Sequence, residues 1–214
     1  MRRLETNDPF WPAQLMLAVA IGLYFALPAK LRVGPVWIIP VAEAALLVGL
    51  IVVTPGEVRD DHRWRRRVAM FLTGLVSAAD IVALLLLAHL LLQGHQTNGR
   101  ALLGGGAIIW VTNLIIFAVW YWELDRGGPI ARARRPETQP DFFFPSMDPD
   151  VPAFEGWVPS FPDYFYVSVT NSTAFSPTDT MPLTIRAKTL MGIQSIVALV
   201  TLLLIVARAV NILH

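Results

Sequence analysis

Five apolar stretches of bilayer length, separated by clusters of charge, limit this chain more than any other feature of its sequence. They cover residues 12–29, 35–54, 68–92, 101–122 and 188–212. A spanning helix needs about 20 mostly apolar residues. In hydrocarbon the backbone must satisfy its own polar groups, so runs of this length predict helices. The composition agrees, with 55% hydrophobic and only 15% charged residues, where soluble domains carry about 25% charged. The expected fold is an all-α membrane protein with five transmembrane helices, plus a short re-entrant helix and polar turn before the last span.

The first run could instead be a signal peptide, because Arg2 and Arg3 precede it. Its end, Ala26-Leu-Pro-Ala-Lys30, has proline where a small-residue cleavage site is wanted, which favours a retained span. Trp11, Trp37, Trp120 and Trp122 lie at or near run ends, as an aromatic belt at the headgroups requires. Lysines and arginines orient the bundle. With the N-terminus inside, Arg2, Arg3, Arg59, Arg63, Arg65, Arg66, Arg67, Arg126, Arg132, Arg134 and Arg135 are cytoplasmic. Lys30, Arg32, Arg100 and Arg208 are opposite. Eleven against four predicts a cytoplasmic N-terminus. The organisation expected is a four-span bundle over 1–122 with a cytoplasmic arginine-rich loop at 55–67. An interfacial loop at 123–161, rich in proline and aromatics, and a hairpin unit at 162–214 complete it.

The hairpin unit is the unusual part. Residues 162–173 are apolar and aromatic but too short to span, a polar turn with two prolines follows, and then comes a full apolar helix. Irregular backbone at membrane depth is tolerated where protein buries it or where it lines a watery cavity. Asp163, Tyr166, Ser168, Val169, Thr173, Asp179 and Pro182 fall, without gaps, on positions that make this segment resemble the pore region of tetrameric potassium channels. Residues 163–213 are covered, with 101–122 as a possible outer helix. The resemblance implies a pore helix carrying Asp163, Tyr166 and Ser168, and a filter-like turn Thr173-Ala174-Phe175-Ser176-Pro177-Thr178-Asp179. The turn lacks the glycines whose backbone freedom aims filter carbonyls at an ion. Hydroxyls of Thr173, Ser176 and Thr178 and the Asp179 carboxylate are then the expected ligands for a monovalent cation. One hairpin cannot enclose a pore, so a homo-oligomer is expected. The cytoplasmic loop makes the hairpin enter from inside, as in glutamate receptors. The alternative is a non-conducting scaffold or subunit that keeps the hairpin for packing.

The whole chain also resembles a bacterial family of small inner-membrane proteins with no assigned activity. Its members share four spans, an arginine cluster between the second and third, an Asp-aromatic-Tyr-x-Ser segment, a Ser/Thr-Asp turn and a final helix ending in Val-Asn-Ile. Here these are Arg63–Arg67, Asp163–Ser168, Thr178-Asp179 and Val210-Asn-Ile212. The resemblance implies a bacterial inner membrane.

Other polar groups have plainer readings beside functional ones. Glu43, Asp80 and Arg208 lie within spans, where charge costs about 2.5–3.5 kcal/mol and faces the bundle interior. They are either an ion path or structural partners, such as Glu43 or Asp80 with Arg208. His89 is read as a satisfied or interfacial histidine rather than a ligand, and Asn113 and Gln194 as bonds between helices. The Asp60–Arg67 run sets topology or binds lipid headgroups. Gly104-Gly-Gly106 lacks a following Lys-Ser/Thr and reads as close helix packing, not a phosphate loop. Asn171-Ser-Thr173 matches a glycosylation sequon, a weak signal. Thr178, Asp179 or Thr180 would cap the last helix, with Pro182 in its first turn. The absence of cysteine removes disulfides and thiolate metal sites, and a net charge of +1 makes no case for nucleic acid. No nucleophile has an evident base, so neither an enzyme nor a metal or cofactor is expected.

Overall fold

The computed structural model describes residues 11–32, 40, 41, 44, 48, 62–92, 99–135, 137–148, 150, 157–173 and 179–213. Helix α1 (Trp11–Ala26) is followed by a 3-10 turn (Ala29–Leu31). Helices α2 (His62–Leu92) and α3 (Gly99–Leu124) come next, then a 3-10 turn (Asp125–Gly127) and the short α4 (Pro129–Arg134). Strand β1 (Phe142–Phe143), a 3-10 turn (Pro145–Met147), α5 (Phe161–Thr173), strand β2 (Met181–Pro182) and α6 (Ile185–Leu213) complete the order. Three segments, within α2, within α3 together with α4, and within α6, are long and apolar enough to cross a membrane; α1 is apolar but shorter. Of the 35–54 run only residues 40, 41, 44 and 48 are described, and these are helical.

Helix α3 is the hub, packing against α1, α2, α5 and α6. Its buried residues, Thr112–Val119 and Tyr121–Glu123 among them, go all the way round the helix, as expected of a helix that lies inside a bundle. Helix α6 turns much of its apolar surface outward, including Ile196, Leu203 and Val206. Lipid tails are as apolar as leucine, so such a face costs nothing in a bilayer.

Small residues set the spacing at one end. A Cβ built on Gly106 would lie 2.6 Å from Ile205 Cγ1 on α6 and 3.5 Å from Leu87 on α2. One built on Gly105 would run into Leu31 and lie 3.3 Å from Pro28. The close-packing reading of Gly104-Gly-Gly106 thus fits Gly105 and Gly106, whereas Gly104 faces open space.

At the other end α3 stops because Arg126, Gly127 and Gly128 all take positive φ, at 53°, 83° and 98°. Two glycines meet this at little cost. Arg126 is held there by its own N–H, which donates to Asp141 Oδ2 at 3.0 Å.

The structure corrects several expectations. Helix α2 starts at His62, six residues ahead of its apolar run, and α6 starts at Ile185. Thr184 caps α6, its Oγ1 accepting the Ala187 N–H at 3.3 Å, so the cap is neither Thr178, Asp179 nor Thr180. Pro182 lies in β2, opposite Phe142 in a two-residue antiparallel ladder. Trp11 is exposed at a helix start, but Trp122 is buried and belongs to the core rather than to an interfacial belt. Trp120 is half-buried, donating its Nε1–H to Ser77 Oγ at 3.0 Å; Trp37 lies outside the described residues. Residues 142–144 of the long loop pack onto the bundle, with Phe142 and Phe144 edge-on to Tyr164 at 6.2 and 5.4 Å.

Candidate functional site

Helix α5 starts at the end of the bundle where α3 stops. Ser160 and Asp163 form its entrance, the carboxylate Oδ2 accepting Ser160 N–H at 2.7 Å and Ser160 Oγ–H at 2.8 Å. An acid at the third helical position that reaches back to the cap residue is half of a capping box. Thirteen residues carry α5 about 20 Å along the bundle at 1.5 Å per residue. Its last turn lies beside Met191, Gln194 and Ser195, two to three turns into α6. By Met181 the chain is back at the starting end, paired with Phe143 of β1.

A polar seam fixes α5 to α3 and α6. Gln194, with no exposed surface, is its centre. The two Nε2 protons are shared among Ser168 O at 3.1 Å, Ser168 Oγ at 2.6 Å and Ser172 Oγ at 2.8 Å. Oε1 accepts from Tyr121 OH and from Asn171 Nδ2, the latter at 2.9 Å. Asn171 Nδ2 also donates to Met191 O at 3.0 Å, and its Oδ1 accepts Ser195 Oγ–H at 3.1 Å. Ser168 hands its own proton to Leu114 O on α3 at 2.7 Å. Every buried polar side chain of α5 therefore has a partner on the bundle, as a low-dielectric interior requires.

A second polar cluster latches the end where α5 enters. Asp125 Oδ2 accepts Tyr164 OH at 2.6 Å, and its Oδ1 accepts the Asp141 N–H at 2.7 Å. Asp141 Oδ1 accepts Thr184 Oγ–H at 2.6 Å and Arg186 Nη2 at 3.3 Å. Arg132 donates to the Trp122 and Asp125 carbonyls at 2.6 and 3.1 Å, its guanidinium 5.1 Å from the Tyr164 ring centre. The α3 terminus, the loop, α5 and α6 are thus tied at one level through two buried aspartates.

The structure divides the expected site residues. Ser168 is buried in the seam, Asp163 caps α5 and Tyr166 is exposed. Thr173 is exposed at the end of α5, its hydroxyl donating back to Val169 O at 2.9 Å. Asp179 is exposed. Ala174, Phe175, Ser176, Pro177 and Thr178, and Glu43, lie outside the described residues. Asp80 is buried beside Ala20, Tyr24 and Thr112, where α1, α2 and α3 meet. Arg208 is half-buried near the far end of α6, and His89 is exposed.

Gln194 was expected to bond between helices and does. Tyr121, Asn171, Ser172, Asp125, Asp141 and Arg132 were not singled out in the sequence for these roles. The Asn of the sequon is sealed in the seam, 2% exposed. The Ser160-x-x-Asp163 pattern ahead of an aromatic run was a legible helix start.

Comparisons with family models, with curated proteins and with solved structures found no match. What is established is a helical protein with, among the described residues, three helices long and apolar enough to cross a membrane.

Proposed function

We propose that this chain is a five-span bacterial inner-membrane protein whose α5, turn and α6 form a re-entrant unit, and that several copies together pass monovalent cations. The observation that carries this reading is the path of α5. It enters beside Asp125, bonds deep along α6 through Asn171, and returns to β1 by Met181. The chain thus comes in and leaves at one end. The five spans are supported by direction: Ala13 near the start of α1 and Arg66 near the start of α2 line one cleft. The connection between these helices has to bring the chain back to that end. With the N-terminus inside, the hairpin is entered from the cytoplasm.

Thr173 and Asp179 flank the turn and are exposed. Together with Ser176 and Thr178 they supply the oxygen ligands, and the Asp179 carboxylate concentrates cations at the mouth. Potassium and sodium flux into liposomes holding the purified protein tests this, with Asp179→Asn and Phe175→Ala beside the wild type. Flux that Asp179→Asn lowers several-fold is expected. No flux over a range of potentials, from correctly inserted protein, overturns the reading.

One observation favours a non-conducting scaffold instead. The seam around Gln194 satisfies the buried polar groups of α5 without any ion. In that case the hairpin is a complete packing unit, and it is the reading that absence of flux would leave.

A further inference from the structure

Asp80 stands in the middle of the apolar run 68–92, far from both ends of that span. It is 8% exposed. Among the described residues its carboxylate has no hydrogen bond and no ion pair, so the pairing with Arg208 considered from the sequence is not made. Asp80 lines a cavity of about 20 Å³ where α1, α2 and α3 meet. About 10–15 Å³ is enough for one water, so the cavity takes a single guest of that size and nothing larger. Three alanines, Ala20, Ala79 and Ala83, make the room. The polar side chains in the wall are Tyr24, Asp80 and Thr112, and all of them present oxygen. Tyr24 is already engaged. The buried Thr112 hydroxyl, like the Asp80 carboxylate, is bonded to no described residue.

We propose that this cavity binds one monovalent alkali cation, held by the Asp80 carboxylate and the Thr112 hydroxyl. A charge buried in a low-dielectric interior is costly unless a counter-charge accompanies it. A water molecule would give the carboxylate a hydrogen bond but no counter-charge. An alkali ion neutralises it and uses the lone pairs of Thr112 as well. The wall selects the class of ion. Oxygen ligands suit hard cations, and no side chain there offers the nitrogen or sulfur that zinc and copper favour. One carboxylate balances one positive charge, whereas a divalent ion would leave net charge in the middle of a span. No cluster of three His, Cys, Asp or Glu, as a divalent metal would use, occurs among the described residues. The cavity is too small for an organic ammonium such as choline. A bound ion ties α2 to α3 through Asp80 and Thr112. This inference goes beyond cation passage through the turn between α5 and α6, and it stands whether or not that turn conducts.

Thermal unfolding of the purified full chain in detergent, followed by tryptophan fluorescence, tests it. Lithium, sodium and potassium chloride are titrated in turn against choline chloride at equal ionic strength. At least one alkali ion is expected to raise the melting temperature by several degrees and to saturate, because it binds the folded state alone. Choline is expected to have no such effect. Asp80→Asn, which keeps the shape and removes the charge, is expected to lose the alkali-dependent rise. Thr112→Val is expected to weaken ion binding several-fold. Ala83→Leu fills the cavity, leaves both ligands in place and is expected to abolish the rise; it serves where Asp80→Asn fails to fold by circular dichroism. Glu137→Gln removes an exposed carboxylate elsewhere and is expected to keep the full rise. Equal melting in alkali and choline salts, a rise that survives in folded Asp80→Asn or Ala83→Leu, or a larger rise with magnesium chloride at equal ionic strength would each overturn the proposal.

Discussion

Replacing Gln194 by leucine keeps the volume and removes the centre of the seam. Four hydrogen bonds go with it: two donated by the Nε2 protons, shared among Ser168 O, Ser168 Oγ and Ser172 Oγ, and two accepted from Tyr121 and Asn171. Bonds between helices in membranes average about 0.6 kcal/mol each, so four are worth about 2.4 kcal/mol. Ser168 and Asn171 keep other partners, on Leu114 and Met191, which holds the loss near that value rather than at the larger sum of desolvation costs. Equilibrium unfolding of the purified protein in mixed micelles reads the difference. The expected loss is about 2.4 kcal/mol, and Tyr121→Phe should cost little more once Gln194 is gone, because the two act on one bond. A Gln194→Leu protein within about 0.5 kcal/mol of wild type would refute the reasoning, since surface-type changes already scatter that much.

Two further substitutions probe the fold with internal controls. Gly106→Ala forces a methyl toward Ile205 Cγ1 at 2.6 Å and should cost about 1–3 kcal/mol by overpacking. Gly104→Ala meets nothing within 4 Å and should be neutral or stabilising by up to about 1 kcal/mol; melting temperatures in the same detergent compare them. Thr184→Ala removes both the α6 cap and the bond to Asp141, an expected loss of about 1–2 kcal/mol in the same unfolding assay.

The long helices were legible because span length and uninterrupted apolar character are one-dimensional properties. Helices α2, α3 and α6 fall where the runs predicted, with ends displaced by a few residues. Helix α2 begins early because its first turn, His62–Arg67, is polar but good helix-forming sequence, and apolar counting cannot see it. The last helix is capped by Thr184 rather than by the Thr178–Thr180 group. The chain between them is used in β2, a pairing with Phe142 some 40 residues upstream that no local pattern announces.

The seam was harder to read. Asn171 and Ser172 read in the sequence only as part of a sequon, and Tyr121 only as one more residue of an apolar run. Their burial depends on how α5 is rotated about its own axis, and a short helix with polar groups on several faces leaves that rotation open. Asp163 and Ser168 drew attention through the channel resemblance. Their contacts in the structure are a helix start and an interhelical bond, roles that packing alone accounts for. Asp125 and Asp141 were hidden for a different reason: each reads as a loop charge, and only the fold of 123–148 onto α5 and α6 buries them.

The central claim is that α5 and the turn go in and come out on one side. Because the natural sequence has no cysteine, single substitutions Val158→Cys and Asp179→Cys give clean reporters at two exposed positions flanking the hairpin. Labelling by a membrane-impermeant thiol reagent in sealed, oriented vesicles should modify both from the same face, the one that also labels Arg134→Cys. Labelling of Val158→Cys and Asp179→Cys from opposite faces would mean that α5 crosses the membrane, and the re-entrant account would fall.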